Sequence, residues 1–430
     1  MRLITALCAL IVMASCQQKE TQPPSWPGQY TGWMTKGQFR DSIRIDLEMR
    51  DSVLFGSFSS LAQNAVMIPL QNLKTSRDSL YFELRSDRYQ YQFESQWQEG
   101  ALVGAMMVDT STISFNLKPN EGAAIEKMGT DIGFISNDSL ELQGTIFMPD
   151  QKPKAGIFFV ASSGPAGRQG TLADALYLTG LGYAVFHYDK RGTGYSEGDW
   201  YTATMETLMQ DDLNALDRFI QLSELPEGQI GLMGSSQGAA KIPELLSRRP
   251  DLGFGILVSC PGASLLESDL NFWKNRNRTR LGNNLEAAAA LQSAVFDYLA
   301  GKNNDRAGLE AQLQAASENE WFEAIWVPNL DQWTPDPKMT YSPMPYLKEV
   351  AQPILLMQGD ADIVIPENSS ALLKQAFADG QGPAVEAVML TDADHGMYHS
   401  GPSDFPYWRN KHQAYFTTLS NWLEGTPWSN

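Results

Sequence analysis

The stretch that most restricts what this chain can become is residues 229–248, QIGLMGSSQGAAKIPELLSR. The apolar run 230–233 has the length and composition of a buried strand. It passes at once into Gly234-Ser235-Ser236-Gln237-Gly238 and then into a helix-like stretch, 239–246. Strand, tight turn and helix are the setting in which G-x-S-x-G carries meaning: the serine is held on a strained turn with its hydroxyl clear of the sheet. The glycines at 234 and 238 leave room for such a backbone. A helix starting just after Ser236 turns its free N–H groups and positive dipole end toward any oxyanion formed there. A Gly-rich turn with an ordinary serine is the plainer alternative, and the flanking strand and helix speak against it.

From about Met128 the chain alternates between strand and helix patterns. The runs 132–135 and 140–147 read as a hairpin around Asn137-Asp138. Apolar strands follow at 156–160, 183–188, 255–258, 353–357 and 385–390. Helical patterns lie at 172–179 and 205–222, and a last helix is expected over 407–423. Such alternation predicts a mainly parallel sheet covered on both faces. One insertion interrupts it. About 90 residues separate Cys260 from Pro353, where a connection usually takes a few. Helical patterns at 285–299 and 307–325, with Trp273, Trp321, Trp326 and Trp333, give this insertion, about 262–345, the character of a cap over a pocket. A merely structural insertion is the alternative, but loops at the carboxyl end of such a sheet surround the active site.

Residues 26–118 differ. Ile43, Ile45, Leu47 and Met49 alternate with polar residues, as do Leu80, Phe82 and Leu84, Tyr89, Tyr91 and Phe93, and Ile113, Phe115 and Leu117. Period-two alternation means strands with one wet face, so a small antiparallel all-β domain, meander or barrel, is expected here. It carries no catalytic constellation. Residues 118–127 read as a linker, and the break in composition suggests two folding units.

Arg2 precedes an apolar run over 3–13, and Ala14-Ser15-Cys16 follow. This is a signal-peptide pattern, too short for a comfortable membrane span of about 20 residues. Residues 12–16, VMASC, also resemble the bacterial lipobox, with Met13 in place of the commoner leucine. The resemblance implies lipidation of Cys16, a tether over 17–25, and a lipid-anchored place in a Gram-negative cell envelope. A plain secretory signal is the alternative. The net charge of −18 argues against nucleic acid and against electrostatic docking on anionic lipid. Cys8 falls within the signal, leaving Cys16 and Cys260, so no disulfide framework is possible if Cys16 is modified. The histidines, His187, His395, His399 and His412, have no zincin spacing, no Cys/His cluster suggests a metal, and no phosphate-binding glycine loop occurs.

A serine is a poor nucleophile near neutral pH without a base, and the base needs an orienting acid. After Ser236 an apolar strand runs into Gly359-Asp360-Ala361-Asp362-Ile363-Val364-Ile365-Pro366. The next strand runs into Thr391-Asp392-Ala393-Asp394-His395-Gly396. The order Ser, Asp, His fits this architecture, with each residue beyond the carboxyl end of a strand. Asp362 is favoured over Asp360, and His395 over His399, by position relative to the strand. Cys260 lacks a nearby histidine motif and reads as a buried thiol.

With these motifs and Tyr188-Asp189-Lys190-Arg191-Gly192-Thr193-Gly194-Tyr195-Ser196-Glu197-Gly198-Asp199, residues 128–425 resemble the α/β-hydrolase superfamily, in the branch of bacterial carboxylesterases and serine aminopeptidase-like enzymes. The resemblance implies a mainly parallel eight-stranded sheet, and acyl transfer from a small-molecule ester or other acyl substrate through Ser236, His395 and Asp362, without a cofactor. It does not cover the β domain. Where such families often carry His-Gly after the third strand, this chain has Ala161-Ser162-Ser163-Gly164-Pro165. Aligned on Gly164-Pro165, Ser163 supplies one oxyanion N–H and Gln237 the other, although Ser163 also reads as a plain turn residue. Arg168 and Arg191 are expected in structural ion pairs. A peptidase or thioesterase with the same triad, or an inert lipid-anchored binding module, are the rival functions.

Overall fold

A computed structural model describes residues 26–86, 88–120 and 129–426. The signal segment with Cys16, the tether 17–25 and most of the 118–127 linker lie outside the described residues.

The first sheet has nine strands: β1 (Gly28–Lys36), β2 (Phe39–Arg50), β3 (Val53–Ser60), β4 (Ala65–Pro69), β5 (Gln71–Thr75), β6 (Ser79–Arg85), β7 (Gln90–Gln98), β8 (Ala101–Val108) and β9 (Ser111–Pro119). Their spatial order is β4-β3-β2-β1-β9-β8-β7-β6-β5. β2 shows why they form. Ile43, Ile45 and Leu47 are buried on one face while Arg44, Asp46 and Glu48 alternate with them on the other. Asp51 and Ser52 then turn the chain with φ of 47° and 65°, the left-handed pair a two-residue hairpin requires. β4 and β5 are separated only by Leu70 yet sit at opposite edges of the sheet. The sheet must therefore roll until its edges approach, as a barrel does. Phe82 stacks on Phe93 inside it at 4.4 Å.

The second sheet has eight strands: β10 (Thr130–Ile135), β11 (Glu141–Phe147), β12 (Gly156–Phe159), β13 (Ala184–Tyr188), β14 (Ile230–Ser235), β15 (Phe254–Val258), β16 (Ile354–Gly359) and β17 (Val385–Leu390). The order is β10-β11-β13-β12-β14-β15-β16-β17, with β10 and β11 antiparallel and the rest parallel. Helices cover both faces. α2 (Met205–Ser223), α3 (Gln237–Arg248) and α7 (Ser369–Ala378) pack on one side through Phe219, Ile242 and Phe377. α1 (Leu172–Gly180) and α8 (Gln413–Glu424) pack on the other through Leu178, Tyr415 and Leu419. After β12 the chain goes to β13 on one side, then returns to β14 on the other. Loops diverge at that point and leave a crevice at the carboxyl ends of β12 and β14.

Between β15 and β16 the insertion forms α4 (Leu265–Leu281), α5 (Leu285–Leu299) and α6 (Arg306–Ala316) around its own core of Trp273, Val295, Phe296 and Leu299. The helix expected over 307–325 is shorter: it stops at Ala316, and only one tight turn, Glu320–Ala324, follows.

The last helix begins at Gln413, not near residue 407. The residues before it cross to the first sheet. Phe405 and Trp408 are buried in that sheet's core, and Trp408 Nε1 donates to Asp41 Oδ2 at 2.7 Å. Tyr91 Oη donates to Tyr407 O at 3.1 Å, and Gln38 N to Asp404 Oδ2 at 2.5 Å. Asn64 donates through Nδ2 to Gln169 O at 3.1 Å and accepts at Oδ1 from Ala173 N at 3.0 Å, supplying an acceptor that the buried first turn of α1 lacks within the helix. The core of the first sheet thus takes in Phe405 and Trp408 from the far end of the chain, while the second sheet keeps its own two clusters.

Candidate active site

Ser236 follows β14 with φ 53° and ψ −122°, a strained conformation for a residue with a side chain. Its N–H donates to Val258 O at 3.0 Å, which fixes the turn to β15. A Cβ on Gly234 would lie 2.7 Å from Gly238 C, and one on Gly238 would lie 2.6 Å from Val160 O. Only glycines let strand, turn and helix crowd so closely against the end of β12.

Asp362 lies in the loop after β16. Its side chain is fully buried, and Oδ1 accepts from Val364 N at 2.8 Å and Ile365 N at 3.1 Å. Oδ2 lies 2.9 Å from His395 Nδ1. Asp360 does other work, accepting from Asp392 N at 2.7 Å and tying the two loops together. His399 meets neither carboxylate: its Nε2 lies 3.3 Å from Pro402 O and its ring packs near His412. The geometry thus separates both pairs of candidates that position in sequence had separated less sharply.

His395 has a further anchor that sequence reasoning missed. Ser259, one residue past β15, is buried with φ 48°, and its Oγ donates to His395 O at 2.9 Å. Ser259 N donates to Met357 O at 2.8 Å, so the histidine loop is pinned to the ends of β15 and β16. Among the described residues, no hydrogen bond joins Ser236 Oγ to His395. Such bonds are often long without substrate and tighten in the complex.

Gln237 opens α3, and its N–H has no acceptor within the helix. Ser163 lies in the loop after β12, and both residues border a cavity of about 170 Å³ with Ser236. Cap and loop residues Trp200, Asp269, Lys338 and Met339 line the same cavity. A larger cavity of about 630 Å³ is bordered by His395, Ser235, Ser162, Met397 and Tyr415.

Beneath the site sits a buried ionic group with no signature in the sequence pattern. Lys241 Nζ lies 2.5 Å from Asp212 Oδ2, both side chains fully buried. Asp212 Oδ1 accepts from Tyr188 Oη at 2.7 Å and Ala161 N at 3.2 Å. Burial, then the nearby aspartates, raise the Tyr188 pKa far above its ordinary value, so this phenol stays a donor. Arg191 pairs with Asp211 at 2.6 Å and Asp138 at 2.9 Å, and Arg168 with Asp131 at 3.0 Å and Asp189 at 3.4 Å. Both arginines are structural, as expected. Burial pushes the Cys260 thiol well above its ordinary range, which keeps it un-ionised and inert.

The family model described as serine aminopeptidase, S33 matches residues 154–400. Among solved structures, an esterase of Pyrococcus furiosus is 16% identical, with a TM-score of 0.45, over 72% of this chain and 96% of that one. Proline iminopeptidase of Mycobacterium smegmatis is 18% identical, with a TM-score of 0.46, over 69% of this chain and 98% of that one. No curated protein matches the chain.

Proposed function

From the premise that the chain belongs to the serine aminopeptidase S33 family of α/β hydrolases, matched over 154–400 of its 430 residues, we propose that it cleaves carboxylic esters through an acyl-serine. Ser236 Oγ attacks the ester carbonyl as His395 Nε2 takes its proton. Asp362 holds the ring by Nδ1 and stabilises the imidazolium. The oxyanion lies between the N–H groups of Gln237 and Ser163. The imidazolium returns its proton to the leaving alkoxide, and the alcohol departs. Water then repeats the sequence, releasing the acid and restoring Ser236. No cofactor enters.

One observation carries the reading. A fully buried carboxylate, with one oxygen held by two backbone N–H groups, meets a histidine at 2.9 Å at the end of the sheet where a strained serine follows β14. A carboxylate so fixed holds the imidazole in one orientation by Nδ1, leaving Nε2 to face the serine. The leaving group must reach the histidine that protonates it. The larger cavity, which borders His395, is therefore assigned to the alcohol, and the smaller one, with Ser236, Gln237 and Ser163, to the acyl group.

A fluorophosphonate probe, followed by ester, thioester and peptide panels on the purified protein, tests this. Rapid labelling of Ser236 with ester turnover is expected. Absence of labelling in a folded protein leaves an inert fold, and cleavage confined to peptides or thioesters moves the substrate class. An envelope location through Cys16 is a separate proposal, supported by the VMASC stretch. Mass spectrometry of the mature N-terminus should find diacylglyceryl on Cys16; an unmodified terminus elsewhere overturns it.

A further inference from the structure

Lys190 is nearly fully buried, yet among the described residues it makes no ion pair. Burying an unpaired ammonium is costly, so what it holds matters. Its Nζ donates to Ser162 O at 2.8 Å and lies 4.9 Å from the Trp200 ring centroid. The side chain borders the cavity that contains Ser236, Gln237 and Ser163.

The Ser162 carbonyl and the Ser163 N–H belong to one trans peptide, so they point in opposite directions. Fixing the oxygen therefore fixes where the N–H points. The flanking groups are already anchored: Ala161 N donates to Asp212 Oδ1 at 3.2 Å, and Ser162 Oγ donates to Ser235 O at 2.9 Å. Neither contact holds the 162–163 peptide itself, and the bond from Lys190 to its carbonyl opposes its rotation. A charged donor on the carbonyl also polarises the amide and strengthens its N–H as a donor.

We propose that Lys190 is a positioning residue that aims the Ser163 N–H at the developing oxyanion, in the place where related chains carry His-Gly. The inference rests on the acyl-serine reading above. Its charge is tunable. Burial first, then Lys241, with Asp212 opposing and Lys338 adding, pushes the Lys190 pKa down to about 8. The groups around it are Asp212 on α2, Lys241 on α3, Asp269 on α4, and Asp336 and Lys338 from the cap.

Removing Lys190 leaves Asp212 paired with Lys241, so Lys190→Met need not strand a buried charge. The experiment measures kcat and KM on a p-nitrophenyl ester for the wild type, Lys190→Met and Lys190→Gln, with melting curves for each. Lys190→Met should lower kcat about 10- to 100-fold, less than the about 100- to 1000-fold seen when an oxyanion donor is lost outright, with KM within about threefold. Lys190→Gln, which keeps a donor without charge, should fall between. Wild-type kcat should decline above about pH 8, and that limb should vanish in Lys190→Gln while the rest of the profile is unchanged. A purely structural role would not remove one limb. An unchanged kcat in Lys190→Met, a loss confined to KM, or an alkaline limb that persists in Lys190→Gln overturns the proposal. If Lys190→Met does not fold, Lys190→Gln and its pH profile decide. An active wild type with unaffected variants removes this inference alone. A wild type that neither turns over esters nor labels at Ser236 removes the acyl-serine reading, and this with it.

Discussion

The two sheets bury apolar surface by opposite routes, and the difference explains where chemistry can sit. In the first sheet most neighbours in space are neighbours in sequence, joined by tight hairpins on alternate ends. Short turns of this kind scatter their side chains and leave no place where several converge. In the second, parallel strands send all their crossover loops from one end. There the divergence between β12 and β14 opens a crevice, and loops after β12, β14, β16 and β17 all contribute residues to it. The first sheet supplies instead a face for residues 402–411 and a cap for α1.

The contrast breaks most decisively at Ser236. Ser236→Ala should lower ester turnover by about five to six orders of magnitude with melting unchanged; retained turnover would place the chemistry elsewhere. His395→Ala should cost several orders, because triad members act as a unit, while His399→Ala should cost less than about tenfold. Reversed effects would also undo the assignment of Asp362. The first sheet should respond in stability and not in rate. Trp408→Ala should destabilise by about 3–5 kcal/mol in chemical denaturation, with kcat within about threefold of wild type. For the same reason a chain starting at Gly129 should aggregate or melt early, since Phe405 and Trp408 lose their core; a soluble, cooperatively folding product with full activity would show that the sheets are independent after all.

The smallest effect concerns pH. Burial raises the Asp41 pKa to about 6, with the hydrogen bonds from Trp408 and Ser60 opposing. Its Oδ1 has no partner among the described residues. A folded-state pKa above the unfolded value means that stability is fully present below about 3.8 and is lost as pH rises through about 6. Asp41→Asn should flatten that part of the stability profile relative to wild type. An identical slope in the two proteins would remove Asp41 as the source.

The strained strand-to-helix turn at Ser236 was legible because everything it needs is local: an apolar run, two glycines and a helix within twenty residues. The proposed acid and base were read from their positions after a strand, and in the structure Asp362 meets His395 while Asp360 holds Asp392 N. β2, β6, β7 and β9 showed themselves through alternation. β4 and β5, exposed over most of their length, gave no such pattern. α4 escaped because LLESDLNFWKNRNRTRL has few apolar positions, and its buried Trp273 serves the cap alone. Lys190, Ser259 and the Asp212–Lys241 pair left no local signal, since each partner lies in a distant segment. The mistaken start of α8 has the same origin. Tyr407 and Trp408 put large aromatics just ahead of the helix, but their partners are Tyr91, Phe58 and Asp41, between 316 and 367 residues earlier.

That long-range insertion also orders events in time. A ribosome making about 5–20 residues per second reaches Trp408 about 290 residues after Pro119, on the order of 15–60 s later. During that interval the first sheet has every strand but lacks Phe405 and Trp408. It must wait, incompletely filled, for the end of the chain. For a polypeptide threaded across a membrane before folding, as the proposed signal segment would direct, such a delay is useful. The first sheet reaches its full stability only once Phe405 and Trp408 have joined its core.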